Sequence, residues 1–190
     1  MAFTVCLFSC GKDDVQIHAV HITTSDNVTI EGDLYGEGDI GLVMAHGLYY
    51  LAGKESFHDE VRYFGSMGVS ALAISFRGYP SSEVPPMDEG RVRDIIAAVN
   101  YLADRGCTKV YVLGSSMGGW IALEAAHSLD SIPSFAGLVI ISAGRKGLGA
   151  GLKCRKLFIA AEDDPNVLAN LRDMFRVASK PKRMEIYKSG

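Results

Sequence analysis

Past residue 14, hydrophobic and polar positions follow two alternating rhythms. "IHAVHITT" (17–24) and "VTIEGDLY" (28–35) alternate apolar with polar residues on either side of "SDN", which predicts two half-buried strands joined as an antiparallel hairpin. "GLVMA" (41–45) and "VSALAIS" (69–75) are continuous apolar runs, as expected of strands buried on both faces. Between them, "SFHDEVRYFGSMG" (56–68) places Phe57, Val61 and Phe64 at helical spacing and ends in glycine, the usual punctuation of a helix C-terminus.

The same alternation continues. In "DEGRVRDIIAAVNYLADRG" (88–106), Val92, Ile95, Ile96, Val99 and Leu102 mark one face of a long helix with an acidic start and an Arg-Gly end, as capping asymmetry favours. "KVYVLG" (109–114) predicts a strand, and "MGGWIALEAAHSL" (117–129) a helix despite its glycines. "FAGLVIIS" (135–142), "KLFIAAE" (156–162) and "RMEIYK" (183–188) complete eight strands, with a helix over 166–179 that turns Val167, Leu168, Leu171, Met174, Phe175 and Ala178 inward. Strands alternating with helices imply an α/β fold: a mostly parallel eight-stranded sheet, helices on both faces and an antiparallel N-terminal hairpin at one edge. Neither an internal repeat nor a linker divides residues 15–190, which read as one domain.

Composition narrows the partners. With 48% hydrophobic residues in 190 and a net charge of −3, the chain suits a globular domain with a proper core. It carries no basic stripe for nucleic acid and no apolar run long enough to span a membrane. Cys6, Cys10, Cys107 and Cys154 form no CxxC pair and no metal-ligand spacing with histidine, so neither metal nor cofactor is expected. Residues 1–14 stand apart: "MAFTVCLFSC" is apolar and "GKDD" follows abruptly. This reads as a signal or lipid-anchor remnant, and Leu7-Phe8-Ser9-Cys10 resembles the cleavage box of bacterial envelope lipoproteins, with Cys10 as the lipidated residue. No Lys or Arg precedes the run, and Phe8 is bulky for such a box; a cytoplasmic location is favoured.

The chemistry centres on "VYVLGSSMGGW" (110–120), where Gly114-Ser115-Ser116-Met117-Gly118 follows a strand and opens a helix. A serine on so sharp a turn takes a strained backbone, flanking glycines relieve collisions, and the helix start aims amides at an oxyanion. Either serine would also serve as a helix N-cap, but capping leaves both glycines unexplained. "VMAHGL" (43–48) adds His46-Gly47 at the end of a buried strand. These two motifs together resemble the α/β-hydrolase family. The resemblance implies Ser116 as nucleophile, the amides of Leu48 and Met117 as the oxyanion hole, and His46 as a residue that shapes its loop. "SFRGYPSS" (75–82) resembles the family's loop after the fourth strand, with Arg77 tying loops together. In "LFIAAEDDPNV" (157–167) the family's triad acid corresponds to Asp164, with Asp163 the close alternative and helix capping the competing role.

The family's order of Ser, Asp, His leaves the base for last, yet no histidine follows His127. "EIYKSG" resembles the lead-in to the histidine loop, so the expectation is a chain that stops short of its base and is nearly inactive by itself. Between the sixth and seventh strands "AGRKGLGAGLKCR" (143–155) is too short for a lid domain. An open cleft suits a small acyl ester or thioester; the alternatives are a lidless serine peptidase and a non-catalytic protein that binds ligand in the same cleft.

Overall fold

The structure is a computed structural model that describes residues 16–48, 53–79, 82, 90–144 and 150–188. The N-terminal apolar segment with Cys6 and Cys10, most of the loop after Arg77 and the middle of 143–155 lie outside the described residues. The strands are β1 (His18–Thr23), β2 (Thr29–Tyr35), β3 (Ile40–Ala45), β4 (Ser70–Ile74), β5 (Lys109–Ser115), β6 (Phe135–Ile141), β7 (Arg155–Ala161) and β8 (Lys182–Tyr187). The helices are α1 (His58–Ser66, after a short 3-10 turn at Lys54–Phe57), α2 (Arg91–Asp104), α3 (Met117–Leu129) and α4 (Pro165–Val177). The eight strands form one sheet in the order β1-β2-β4-β3-β5-β6-β7-β8. β2 runs antiparallel to both β1 and β4, and every other pairing is parallel.

The predicted α/β architecture and its antiparallel edge are present, and helix boundaries move by a few residues. α2 begins at Arg91 after Gly90, and its first-turn acid, Asp94, points inward. α4 begins one residue earlier than the apolar pattern indicates, because Pro165 occupies the first helical position, where its missing N–H is no loss.

The two faces of the sheet differ. On one, α2, α3 and α4 seal Val110, Val112, Leu138, Ile140 and Phe158 into the larger core. On the other, Phe57 and Val61 pack over Leu42, Met44, Ala71 and Ala73, while Tyr111, Val139 and Ile141 remain only half-buried. Between β6 and β7 runs a connection of residues 142–154, with no room for a lid domain.

Candidate active site

The site lies where the parallel strands end, the usual place for chemistry in such sheets. β5 runs into Ser116, which takes φ 50° and ψ −114° before α3 starts at Met117. Few non-glycine residues adopt positive φ, and a serine held there marks a turn that its surroundings over-determine. The surroundings are close. A β-carbon at Gly118 would stand 2.2 Å from the Ala45 carbonyl oxygen, and one at Gly114 2.4 Å from that of Gly118. β3, β5 and the first turn of α3 therefore meet through bare backbone, and the turn has one way to go.

Ser116 stands at the N-cap of α3, yet its hydroxyl makes no capping bond and the residue is exposed. Backbone interactions fix it instead: its N–H donates to Ile141 O at 2.9 Å, and Gly119 N–H donates to Ser116 O at 3.0 Å. Gly118 N–H donates to His46 O at 3.1 Å, which commits that first-turn amide to β3. Gly47 lies beside the serine; a side chain there would start 3.3 Å from Ser116 Cβ. Leu48 follows with 68% of its surface exposed, whereas Met117 is buried, its sulfur 3.6 Å from the Tyr79 hydroxyl.

His46 is fully buried, and both ring nitrogens are in use. Phe76 N–H donates to Nε2 at 3.2 Å, so the proton sits on Nδ1, which donates to Gly47 O at 2.8 Å. The rings of Phe76 and Tyr79 meet it edge-on at 5.1 and 4.5 Å. Burial lowers its pKa from 6.5, which keeps the imidazole neutral. This ring holds the loop after β3 and is engaged too fully to serve as a base.

Asp164 follows β7, two strands from β5, so at ~4.8 Å per strand the two turns stand about 10 Å apart. Its carboxylate is exposed and accepts the Val167 N–H at 3.1 Å, capping α4. Asp163 is exposed beside it. The remaining histidines are elsewhere. His18 and His21 are on the edge strand β1, and His58 is bonded through Nε2 to Asp33 at 2.7 Å. His127 is exposed in the last turn of α3, at 1.5 Å rise per residue about 16 Å from Ser116.

Two charged clusters border the site, neither of them legible from the hydrophobic pattern. Arg77, only 4% exposed, grips Asp26 of the β1–β2 turn with a fork of bonds at 2.7 and 3.0 Å. Its Nε and backbone N–H donate to the fully buried Asp94 at 2.8 and 3.0 Å. The Arg77 bonds hold the Asp26 carboxyl well below the usual carboxylate range, whereas burial pushes Asp94 up despite the same partner. In the second cluster, Lys54 Nζ donates to the buried Asp33 at 2.7 Å and Lys54 N–H donates to Ser75 Oγ at 3.0 Å. Burial is the largest single influence and opposes the Lys54 charge, but the Asp33 bond together with the charges of Asp33, Glu55 and Glu31 outweighs it, and the ammonium titrates above its ordinary value. Together the clusters tie the loop after β3 to β2, and the loop after β4 to the β1–β2 turn and to α2. Among the described residues no three His, Cys, Asp or Glu side chains converge as metal ligands, and no helix is long and apolar enough to cross a membrane.

The sequence model of the alpha/beta hydrolase family matches residues 42–186. With that match and this topology, the chain belongs to the alpha/beta hydrolase family. Solved structures of the same fold include an esterase from Pyrococcus furiosus, 16% identical with a TM-score of 0.73, the alignment covering 92% of this chain and 84% of that one. An esterase from Exiguobacterium antarcticum is 16% identical with a TM-score of 0.74, covering 88% and 90%. A serine hydrolase without lid from Xanthomonas campestris is 17% identical with a TM-score of 0.68, covering 92% and 84%. By sequence, the multifunctional-autoprocessing repeats-in-toxin of Vibrio vulnificus is 30% identical over 58% of this chain, which spans about 2% of that protein's length.

Proposed function

We propose that the chain is a serine hydrolase that cleaves a small carboxylic ester or thioester through an acyl-enzyme on Ser116. The observation that carries this reading is Ser116 itself, exposed at φ 50° with a hydroxyl that caps nothing. Its Oγ attacks the acyl carbon while a general base takes the proton, and the Met117 and Leu48 amides hold the developing oxyanion. The proton passes to the departing alcohol or thiol, and water then attacks the acyl-serine to release the acid. Gly114, Gly118 and the His46–Gly47 pair hold the elbow and the oxyanion loop in register. Asp164 orients the imidazole that acts as base, and neither metal nor cofactor is needed for these steps.

That imidazole is not among the five histidines of this sequence. Each of them is engaged or remote, so the 190 residues alone turn over slowly. Two esterases and a serine hydrolase without lid among the structural neighbours support the ester class and the open cleft. On this reading the substrate is small and soluble, and the protein works in the cytoplasm; lipid on Cys10 would move it to the envelope.

The test is chemical rescue. A fluorophosphonate probe and an activated ester are offered to the chain with and without free imidazole, beside Ser116→Ala. Imidazole should speed both labelling and turnover in the wild type beyond its own solution reaction, and the alanine variant should show neither gain. Equal rates in the two proteins would remove Ser116 as nucleophile and leave the cleft as a ligand-binding site.

A further inference from the structure

We infer that Ser142, Ala143 and Gly144 form a spacer that sets the separation of the Ser116 and Asp164 turns, with Gly144 as the positioning residue for Asp164. The inference rests on the reading of Ser116 as nucleophile and Asp164 as acid, and adds the element between them. β6 lies between β5 and β7 in the sheet, so the segment that leaves its end passes between the two turns.

The segment is gripped from both sides. Towards the elbow, Ile141 O at the end of β6 accepts the Ser116 N–H at 2.9 Å. A β-carbon added at Gly119, in the first turn of α3, would stand 2.4 Å from Ala143 Cβ, so α3 meets the segment through bare backbone. Towards the acid, Ser142 N–H donates to Ile159 O of β7 at 2.9 Å. A β-carbon at Gly144 would stand 2.5 Å from Asn170 Cβ and 3.1 Å from Val167 O. Val167 is the residue whose N–H the Asp164 carboxylate accepts. The start of α4, and the acid turn with it, therefore rests on the backbone of Gly144.

The backbone between these contacts leaves the usual course of a strand. Ser142 takes φ 47°, where few residues other than glycine go, and a position so held is over-determined by its surroundings. The bend ends the alternation of β6: Ile140 and Ala143 both enter the larger core, while Ser142 stays half-buried at the strand end. One strained residue thus brings Ala143 onto α3 and Gly144 onto α4, and the distance between the two turns is fixed. Reaction through an imidazole held by both turns is sensitive to that distance, since a displacement of about 1 Å can cost about a hundredfold in rate. An alanine at Gly144 must push α4 away by roughly that much, because carbons in contact sit about 3.5–4.0 Å apart.

Gly144→Ala in the full chain tests this, with imidazole-assisted turnover of an activated ester as the readout. Turnover should fall by about tenfold or more. Added to Asp164→Asn, the same substitution should cost less than about twofold, because the two act through one group. Asn170→Gly removes the carbon that the new methyl meets, so Gly144→Ala should cost far less in the Asn170→Gly chain. Unchanged turnover in Gly144→Ala would overturn the spacer. So would an equal loss in the Asp164→Asn chain, which is what general damage to the fold produces, or an equal loss in the Asn170→Gly chain. The reading beneath it fails separately, when wild type and Ser116→Ala turn over alike. Backbone amide shifts then decide the spacer: those of Asp164 and Val167 should move in Gly144→Ala, and those of Met117 and Gly118 should stay. Unmoved shifts at the acid turn would overturn it.

Discussion

The elbow at Ser116 and the turn at Asp164 stand at the same end of the sheet, two strands apart, and are built on opposite plans. The elbow is enclosed: glycine backbone touches backbone on two sides, a buried imidazole braces the neighbouring loop, and the serine is held where few residues go. The acid turn is open. Its carboxylate is exposed, and its recorded partner is the Val167 amide of the helix it caps. On the proposed mechanism, a nucleophile needs a fixed oxyanion geometry within a fraction of an ångström, which packing of this kind would supply. On the proposed mechanism, an acid acting through an imidazole needs a fixed direction, which one capping bond and a proline would supply.

The largest perturbation should come from the enclosed side. Gly118→Val puts a branched side chain into the Ala45 carbonyl, 2.2 Å from the first added carbon. We expect a loss of about 3 kcal/mol in urea unfolding, together with the imidazole-assisted labelling of Ser116. A loss well below that would mean the elbow relaxes, and that the contrast is overstated.

Next is pH. His46 is depressed below 6.5 by burial, so below pH 6.5 the unfolded chain binds a proton that the folded chain refuses. Stability is therefore intact above 6.5 and falls as pH drops from there towards the folded pKa, by up to about 1.4 kcal/mol per pH unit. Urea midpoints measured from pH 7.5 to 5 should show this slope in the wild type and a flatter one in His46→Gln. Equal slopes would mean that the buried ring is not what couples folding to acid.

On the open side, Asp164→Ala should remove the cap and about 1 kcal/mol. Asn caps as well as Asp, so Asp164→Asn should keep stability while lowering imidazole-assisted turnover, and Asp163→Asn should change neither. The reverse ranking of the two Asn variants would move the acid by one residue. The smallest effect is a gain: Ser116→Gly relieves the positive φ and should stabilise the fold by about 1 kcal/mol. No gain would show that the elbow stores little strain.

Much of this architecture was legible because burial on a sheet writes itself as periodicity. "GLVMA" and "VSALAIS" became β3 and β4, and the alternating pair 17–24 and 28–35 became the edge hairpin. Ser116 could be located because a sharp turn between strand and helix demands glycine on both sides. The partners in the charged clusters left no such mark, although the resemblance of "SFRGYPSS" to the family's loop pointed to Arg77 as tying loops together. Asp94 and Asp33 look like ordinary outward positions in a helix and a strand. They are buried because Arg77 and Lys54 arrive from loops far along the chain, and pairing across such distances has no local period. The half-open face was hidden for a related reason, since a pattern says which side of a strand is apolar and not what covers it.

Arg77 binds together parts of the chain that are distant in sequence: the turn at Asp26, the loop after β4 and the first turn of α2. Such a clasp should close only after the hairpin, β4 and α2 are in place, because each closure must first overcome its loop entropy. Its influence should thus fall on the rate of unfolding rather than folding. In time rather than energy, Arg77 should act as a latch, setting how often the edge hairpin peels from the sheet, and so how long the loops around Ser116 keep their shape between openings.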